Sequence, residues 1–458
     1  MPRTKKTMRT ATVVLIGLAL LVGGIWAAEG ESPAPAVATG TTLSAGMAKA
    51  DITPDAERLT FQLHGYGDRA GAPATGVLDP IYARAAVLGN DAGETIAIVS
   101  VDLCYVGSEL RDAVLARLQS HGFNANNLML AATHSHSGFA NYDHRYIAEK
   151  FFGEFNQEIF DLAAGGIVDA VLKAKQAMRP VQVKTATITV PGMNRNRRDP
   201  AFDIATGSGP TGVVPDRERY PTDERMTVLA LTEADKIRGV IVHYTAHPTV
   251  LSPKNMVVSA EWPGVMCDTL EAELNAPALF LNGALGDAAP QPDWQDDTAR
   301  EIADMKAYGK AIADYAGRAL QQLTPLRGAM LRGRSVRRDM TRMQLRFAWG
   351  WRPPQFLTRL VYDDPLGQFQ AMRLGNVLLM TVPGEPTYAL SQELMQFCPA
   401  GNECRVVAPA NGYYAYFVTP SEYDEGTYAS DACLYGREAH KLIADGVGRA
   451  VMNLEAGL

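Results

Sequence analysis

Two runs, Thr95-Ile-Ala-Ile-Val-Ser-Val-Asp102 and Leu128-Met-Leu-Ala-Ala-Thr133, decide the fold together with the segment between them. Each run is continuously apolar and rich in small or β-branched residues, as a strand covered on both faces must be. Between them, Ser108 to His121 places Leu110, Val114, Leu115 and Leu118 at helical spacing. Strand, crossover helix, strand is the α/β signature. Working outward, the pattern predicts one or two helices over 147–178. Strands are expected at Val181–Val190, Met226–Leu231 and Gly239–Tyr244, the last two joined by a turn at Glu233-Ala-Asp-Lys. Ala278–Leu281 and Val377–Val382 read as two more strands ending in Gly-containing turns, and Ala439–Leu454 as a helix. The hairpin and the later strands imply a mixed sheet. The expected fold class is therefore α/β, a mixed β-sheet core flanked by helices in a single large domain.

A chain of 458 residues with 47% hydrophobic residues is ample for such a core. A net charge of −7 gives no basic field for nucleic acid, so no nucleic-acid partner is expected. Arg3, Lys5, Lys6 and Arg9 precede an apolar run from Ala11 to Ala27, which reads as an export signal. Trp26 or Ile25 would occupy the position where signal peptidase prefers a small residue, so an uncleaved anchor is the alternative. Residues 1–28 are thus read as signal peptide or membrane anchor, 29–45 as a small-residue linker and 46–458 as the catalytic domain. The chain is accordingly expected to be exported: periplasmic, secreted or membrane-anchored. Of five cysteines, Cys398 and Cys404 either close a small loop or are buried free thiols. No CxxC pair points to a thiolate metal site.

Open α/β sheets build their sites at the carboxyl ends of strands. Four such ends carry chemistry: Thr133-His134-Ser135-His136, Tyr244-Thr-Ala-His247-Pro248-Thr249, Asn282-Gly-Ala-Leu-Gly-Asp287-Ala-Ala-Pro290 and Val382-Pro-Gly-Glu385-Pro-Thr387. His134, His247 and Glu385 would supply two imidazoles and a carboxylate, the donor set of a zinc hydrolase with one position open for water. The same residues also fit hydrogen-bonded histidines and a solvated glutamate at a helix start, and dispersed ligands have no spacing to test.

The order of the motifs adds what spacing does not. Gly46-Met-Ala-Lys-Ala-Asp51-Ile-Thr-Pro54, Gly65-Tyr-Gly67, Asp79-Pro-Ile-Tyr-Ala-Arg84, Ala132-Thr-His-Ser-His-Ser-Gly138 and Asn194-Arg195 occur in sequence. His247-Pro-Thr249, Ser259-Ala-Glu261, Asn282–Pro290, Pro383-Gly-Glu385, Asn411-Gly-Tyr-Tyr-Ala-Tyr416 and Tyr428 follow. From about Gly46 to His440 the chain resembles the neutral, non-lysosomal ceramidases. The resemblance implies one zinc ion held by His134, His247, Glu385 and Tyr416. It places His136, Arg195 and Tyr428 among the catalytic and substrate-contacting residues. It also implies hydrolysis of the N-acyl bond of ceramide or a related N-acyl lipid by water activated at zinc, on a lipid or small-molecule amide, with association at a membrane surface.

Two departures matter. The family's Gly-Asp-Val-Ser-Pro block reads Gly286-Asp-Ala-Ala289-Pro290 here, so Ala289 stands at the serine position. This leaves open hydrolysis of a different small amide or ester, or a catalytically silent lipid-binding role. Ceramidases proper also carry a C-terminal β-sandwich-like domain, and this chain is expected to hold only the catalytic domain. Asp102 and Asp287 are expected to be structural, and Glu261 either to orient a ligand histidine or to start a helix. The aromatic stretch Phe347–Phe356 is a candidate substrate mouth, membrane contact or buried loop.

Overall fold

The computed structural model describes residues 43–202, 213–291, 294, 297–340 and 366–458. These belong to one compact unit. The first strand, Leu43–Asp51, begins inside the stretch assigned to the linker, because Leu43 and Ala45 point into the core.

Among the described residues the larger sheet has nine strands. Along its main path the order is Ala278–Asn282, Lys236–Tyr244, Arg225–Glu233, Arg179–Thr189, Leu43–Asp51, Tyr82–Asn90, Thr95–Val101 and Leu128–Ala132. The two outermost pairs are parallel, and the pairs between them are antiparallel. A second sheet of four strands runs Leu331–Asp339, Leu366–Leu374, Val377–Thr381 and Glu403–Val407. The mixed sheet expected from the sequence is present, and the region 147–178 forms two helices, Tyr146–Phe152 and Gln157–Gln176.

Alternation along the strands sorts their side chains into layers. Ala83, Ala85, Val87, Ala97, Val99, Val101, Leu128 and Leu130 pack on the helices Ser108–Leu118 and Gln157–Gln176. The alternate residues Ala86, Leu88, Ile96, Ile98, Met129 and Ala131 instead meet Leu331, Met372, Leu374, Val377, Leu379 and Val407 of the second sheet. Helices Glu261–Leu274 and Thr298–Leu320 cover the other half of the large sheet, and Ala439–Ala456 covers the outer face of the small one. The result is helix, sheet, sheet, helix. The sequence reading of strands buried on both faces follows from this: one face meets helices and the other meets a second sheet.

Asp102 is structural. Its carboxylate accepts the Tyr82 backbone N–H at 2.9 Å and pairs with the buried Arg84 guanidinium, tying adjacent strands together. Asp102→Ala leaves Arg84 buried without its main counter-charge, and is expected to cost about 3–5 kcal/mol of stability. Chemical denaturation reads this out, with bound metal at the folded protein unchanged.

Cys398 and Cys404 form a disulfide, while Cys104, Cys267 and Cys433 are buried thiols. The expected export, whether periplasmic, secreted or membrane-anchored, is corrected. No helix among the described residues is long and apolar enough to cross a membrane. The hydrophobic segment on which the expectation rested, within 1–42, lies outside the described residues, as does Phe347–Phe356.

Candidate active site

Three strand ends deliver the candidate metal donors. The Leu128–Ala132 strand ends against its parallel neighbour, with Thr133 N–H donating to Val101 O at 2.9 Å and His134 N–H to Leu103 O at 3.0 Å. His134 then adopts φ 72°, a left-handed conformation costly for a residue with a β-carbon and typical of functional sites. Its Nδ1 lies 2.7 Å from Cys104 O. His247 follows the Lys236–Tyr244 strand, and the Ala288 carbonyl accepts both its backbone N–H and its Nδ1, each at 2.9 Å. Glu385 opens a two-residue strand parallel to Tyr416–Phe417, with Tyr416 as its register partner. Gly286 permits the close approach of the third block: a β-carbon there would lie 2.6 Å from Glu385 O.

These backbone contacts orient both imidazoles. With each Nδ1–H given to a carbonyl, each Nε2 presents a lone pair to Glu385. His134 Nε2 is 3.4 Å from Oε1 and His247 Nε2 is 3.1 Å from Oε2. Two nitrogen lone pairs facing one carboxylate repel unless a cation lies between them. In the metal-free site that cation is a proton, since, against burial, Cys104 and Glu385 hold the His134 imidazole well above its usual range. Tetrahedral zinc, with bonds of about 2.1 Å, needs donors roughly 3.4 Å apart. The donor atoms of His134, His247 and Glu385, all buried, lie within 4.8 Å of one another. The residues therefore fit a metal. Burial is the main cause that holds His247 down to about 3, so it is the neutral ligand form. Burial alone would raise Glu385, but His134 and His247 keep its carboxyl well below the usual range, and it stays anionic. Cys104, His134 and His136 form a second close donor group, in which His134 Nδ1 lies 2.7 Å from the Cys104 carbonyl oxygen and 3.7 Å from its thiol sulfur.

The other candidates divide. His136 joins the cluster, its Nε2 3.3 Å from His134 Nε2 and its ring edge-on to Tyr66 at 4.6 Å between centroids. It packs on Gly65, where a β-carbon would lie 2.3 Å from its ring. Its Nδ1 is buried without a hydrogen-bond partner among the described residues, and burial followed by the neighbouring His134 and His247 keeps it neutral. Tyr416 lines the same space, and Tyr428, more than half exposed, stands edge-on to it at 5.5 Å. Arg195 points elsewhere. Its guanidinium lies over the Phe202 ring, and it lines a cavity of about 210 Å³ with Asn196, Asp199 and Tyr220. None of the four metal-donor candidates lines that cavity. Ala289 is the register partner of Arg195 and is buried.

Sequence reasoning missed two residues. Arg197, and not Arg195, reaches the donors: its Nη1 is 3.3 Å from His247 Nε2 and 3.4 Å from Tyr416 Oη. Tyr413 donates its hydroxyl to Glu385 Oε1 at 2.5 Å. It is clamped by stacking on Tyr105, centroids 4.4 Å apart, and by Arg145 on its carbonyl at 2.8 Å. Tyr413 was visible as the first tyrosine of its motif, but nothing local distinguishes its role from that of Tyr416. Tyr413→Phe is expected to weaken metal binding about 10–100-fold by freeing Glu385 Oε1, with the fold intact. Metal-buffer titration would measure it.

Glu261 does not touch a ligand histidine. It accepts the Leu251 and Trp262 N–H groups at 2.6 and 2.7 Å, while Trp262 Nε1 donates to the His247 carbonyl at 3.0 Å. Burial pushes its carboxyl up to about 8. Asp287, pushed up to about 7 by burial and then by Glu422, accepts Tyr388 N–H and Asn196 Nδ2 at 2.8 and 2.9 Å, a structural role.

Comparison with known proteins completes the picture. The family described as "Neutral/alkaline non-lysosomal ceramidase, N-terminal" matches residues 43–313. The neutral ceramidase of Pseudomonas aeruginosa is 27% identical over 404 residues, covering 82% of this chain and 57% of that protein. The neutral ceramidase of Mycobacterium tuberculosis is 23% identical over 484 residues, covering 86% of this chain and 74% of its own length. The chain thus spans little more than half of the Pseudomonas relative and 36% of the neutral ceramidase of Drosophila melanogaster. Two solved structures share the fold. "Ceramidase complexed with C2" has a TM-score of 0.78 at 21% identity, covering 92% of this chain and 76% of its own. The neutral ceramidase from Pseudomonas aeruginosa has a TM-score of 0.74 at 22% identity, covering 91% and 75%.

Proposed function

Because the chain belongs to the neutral/alkaline non-lysosomal ceramidase family, we propose that it is a zinc-dependent hydrolase of the N-acyl bond of ceramide or a related N-acyl lipid. The observation that carries this reading is the convergence of His134 Nε2, His247 Nε2 and the Glu385 carboxylate on one buried point. These three residues would hold one zinc ion, with Tyr416 beside them as the fourth donor. When bound, zinc lowers the pKa of a water toward neutrality and polarises a carbonyl.

The protein's own groups do the rest. Water oxygen adds to the amide carbon, the C–N bond breaks, and the water's proton goes to the leaving nitrogen, giving a fatty acid and a free amine. His136 is the group that carries this proton. It is neutral, lies 3.3 Å from a ligand nitrogen, and has an Nδ1 with no protein partner among the described residues. The Tyr428 hydroxyl, at the exposed side of the site, donates to the oxygen on which charge develops. Glu385 is kept anionic and in place by Tyr413.

Ala289 favours a second reading, hydrolysis of another small amide or ester by the same residues, because the hydroxyl of the family's serine is missing. One assay separates the readings: purified, zinc-replete protein against ceramide, other N-acyl lipids and short polar amides. Fatty-acid release from ceramide supports the first, and release only from the short amides supports the second. Bound metal with no release from any of them would leave the hydrolase reading without support.

A further inference from the structure

A proton carrier cannot be oriented by hydrogen bonds to its ring if its nitrogens must stay free for the proton. His136 is in this position: its Nδ1 has no partner among the described residues, and its Nε2 faces the His134 imidazole. Its restraint lies on the backbone side. Arg69 ends the short helical turn Gly67–Arg69 and is buried, with 6% of its surface exposed. Its Nη1 donates to His136 O at 2.6 Å and to His64 O at 2.8 Å, and its Nε donates to Pro253 O at 3.4 Å. One side chain thus ties residues 64, 136 and 253 together.

The same clamp sets what touches the imidazole. The guanidinium lies 4.8 Å from the centroid of Tyr66, whose hydroxyl donates to Leu251 O at 2.8 Å and whose ring stands edge-on to His136. His64 N–H donates to Gly138 O at 3.0 Å, and Gly65 follows it onto the face of the His136 ring. As a stabilising device the arrangement is poor. Arg69 pairs with no carboxylate among the described residues, its Nη2 is buried without an acceptor, and burial pulls its guanidinium down to about 10. A buried cation without a counter-ion is less favourable than an apolar side chain of its size, so packing does not explain it. A clamp on carbonyls, which orients an imidazole and leaves its nitrogens uncommitted, does.

We propose that Arg69 is a positioning residue for proton transfer, holding His136 by its carbonyl so that the imidazole keeps one orientation while Nδ1 stays free for the proton. Orientation is worth much in such a step, since misplacing a reacting group by about 1 Å costs about 10²-fold in rate. The proposal rests on His136 as the proton carrier, the reading given above.

The test compares zinc-loaded wild type, Arg69→Met and Arg69→Lys on N-dodecanoylsphingosine, or on a short N-acyl amide if only that is cleaved. Arg69→Met is expected to lower kcat about 10–100-fold, with KM within about twofold and zinc retained. Arg69→Lys, whose ammonium can still donate to both carbonyls, is expected to recover most of the loss. In the His136→Asn background Arg69→Met is expected to cost less than about twofold, because no imidazole is left to position. NMR of zinc-loaded protein labelled with 15N-histidine gives a readout independent of turnover. Arg69→Met should shift or split the ring signals of His136, identified by their loss in His136→Asn, and leave those of His247 in place. Circular dichroism confirms that the variants fold, and Arg69→Gln replaces Arg69→Met in every arm if the latter does not. An equal fall of kcat in both backgrounds, or unchanged His136 signals, would overturn the proposal. Full turnover in His136→Asn alone would instead defeat the proton-carrier reading, and the NMR arm would still decide whether Arg69 holds the ring.

Discussion

Replacing His134 or His247 with Ala should strip the metal and abolish activity together. Each imidazole is held by its Nδ1 to a backbone carbonyl, so its Nε2 has one orientation. Alanine removes one of three converging donors and leaves Glu385 facing a single histidine. Losing even an outer partner of a metal site costs about 10–100-fold in affinity, and losing a donor costs more. Elemental analysis after dialysis against a weak chelator should find the wild type loaded and both variants empty. His134→Ala keeps a β-carbon at φ 72° and so leaves the left-handed strain at residue 134 unchanged; circular dichroism should show its loss of metal without loss of fold. A loaded, active variant would remove that residue from the donor set.

His136→Asn should behave differently: turnover falls by about 10²–10⁴-fold, the range for losing a general acid–base group, while the metal stays. His136 is two residues from His134 and 3.3 Å from its Nε2, so proximity alone would make the two equivalent. Their backbone contacts make them unequal. His134 gives Nδ1 to a carbonyl, whereas the Nδ1 of His136 is buried with no partner among the described residues. A group with an uncommitted nitrogen can take up and release a proton, and a group committed at one nitrogen is set to ligate through the other. Equal metal loss from His134→Ala and His136→Asn would end this division of labour. Metal retention with undiminished turnover would remove His136 from the proton path.

Much of the fold was legible. The strands at 95–102 and 128–133, the crossover helix and the hairpin at 226–244 all form within a few residues of their expected bounds. The second sheet was only partly legible. Leu331–Asp339 carries Arg332, Arg334, Arg337 and Arg338, which mask its alternation, and it becomes a strand through pairing with Leu366–Leu374. Two helices and not one fill 146–176, with Gly153 at the end of the first in a left-handed φ of 94°.

The amino-acid sequence by itself determined which strand ends offer candidate donors: His134, His247 and Glu385 each follow an apolar run, and such runs are legible because side-chain alternation and burial are written residue by residue. Tertiary structure alone decided which arginine joins them. In Arg195-Asn-Arg-Arg198 three equal cations compete, and only the turn after Asn196, pinned to Asp287 some 90 residues away, brings Arg197 to His247 while Arg195 lies over Phe202. It decided likewise that Tyr413 holds Glu385, through stacking on Tyr105. Such choices depend on contacts between segments distant in the chain, and no local pattern of residues encodes them.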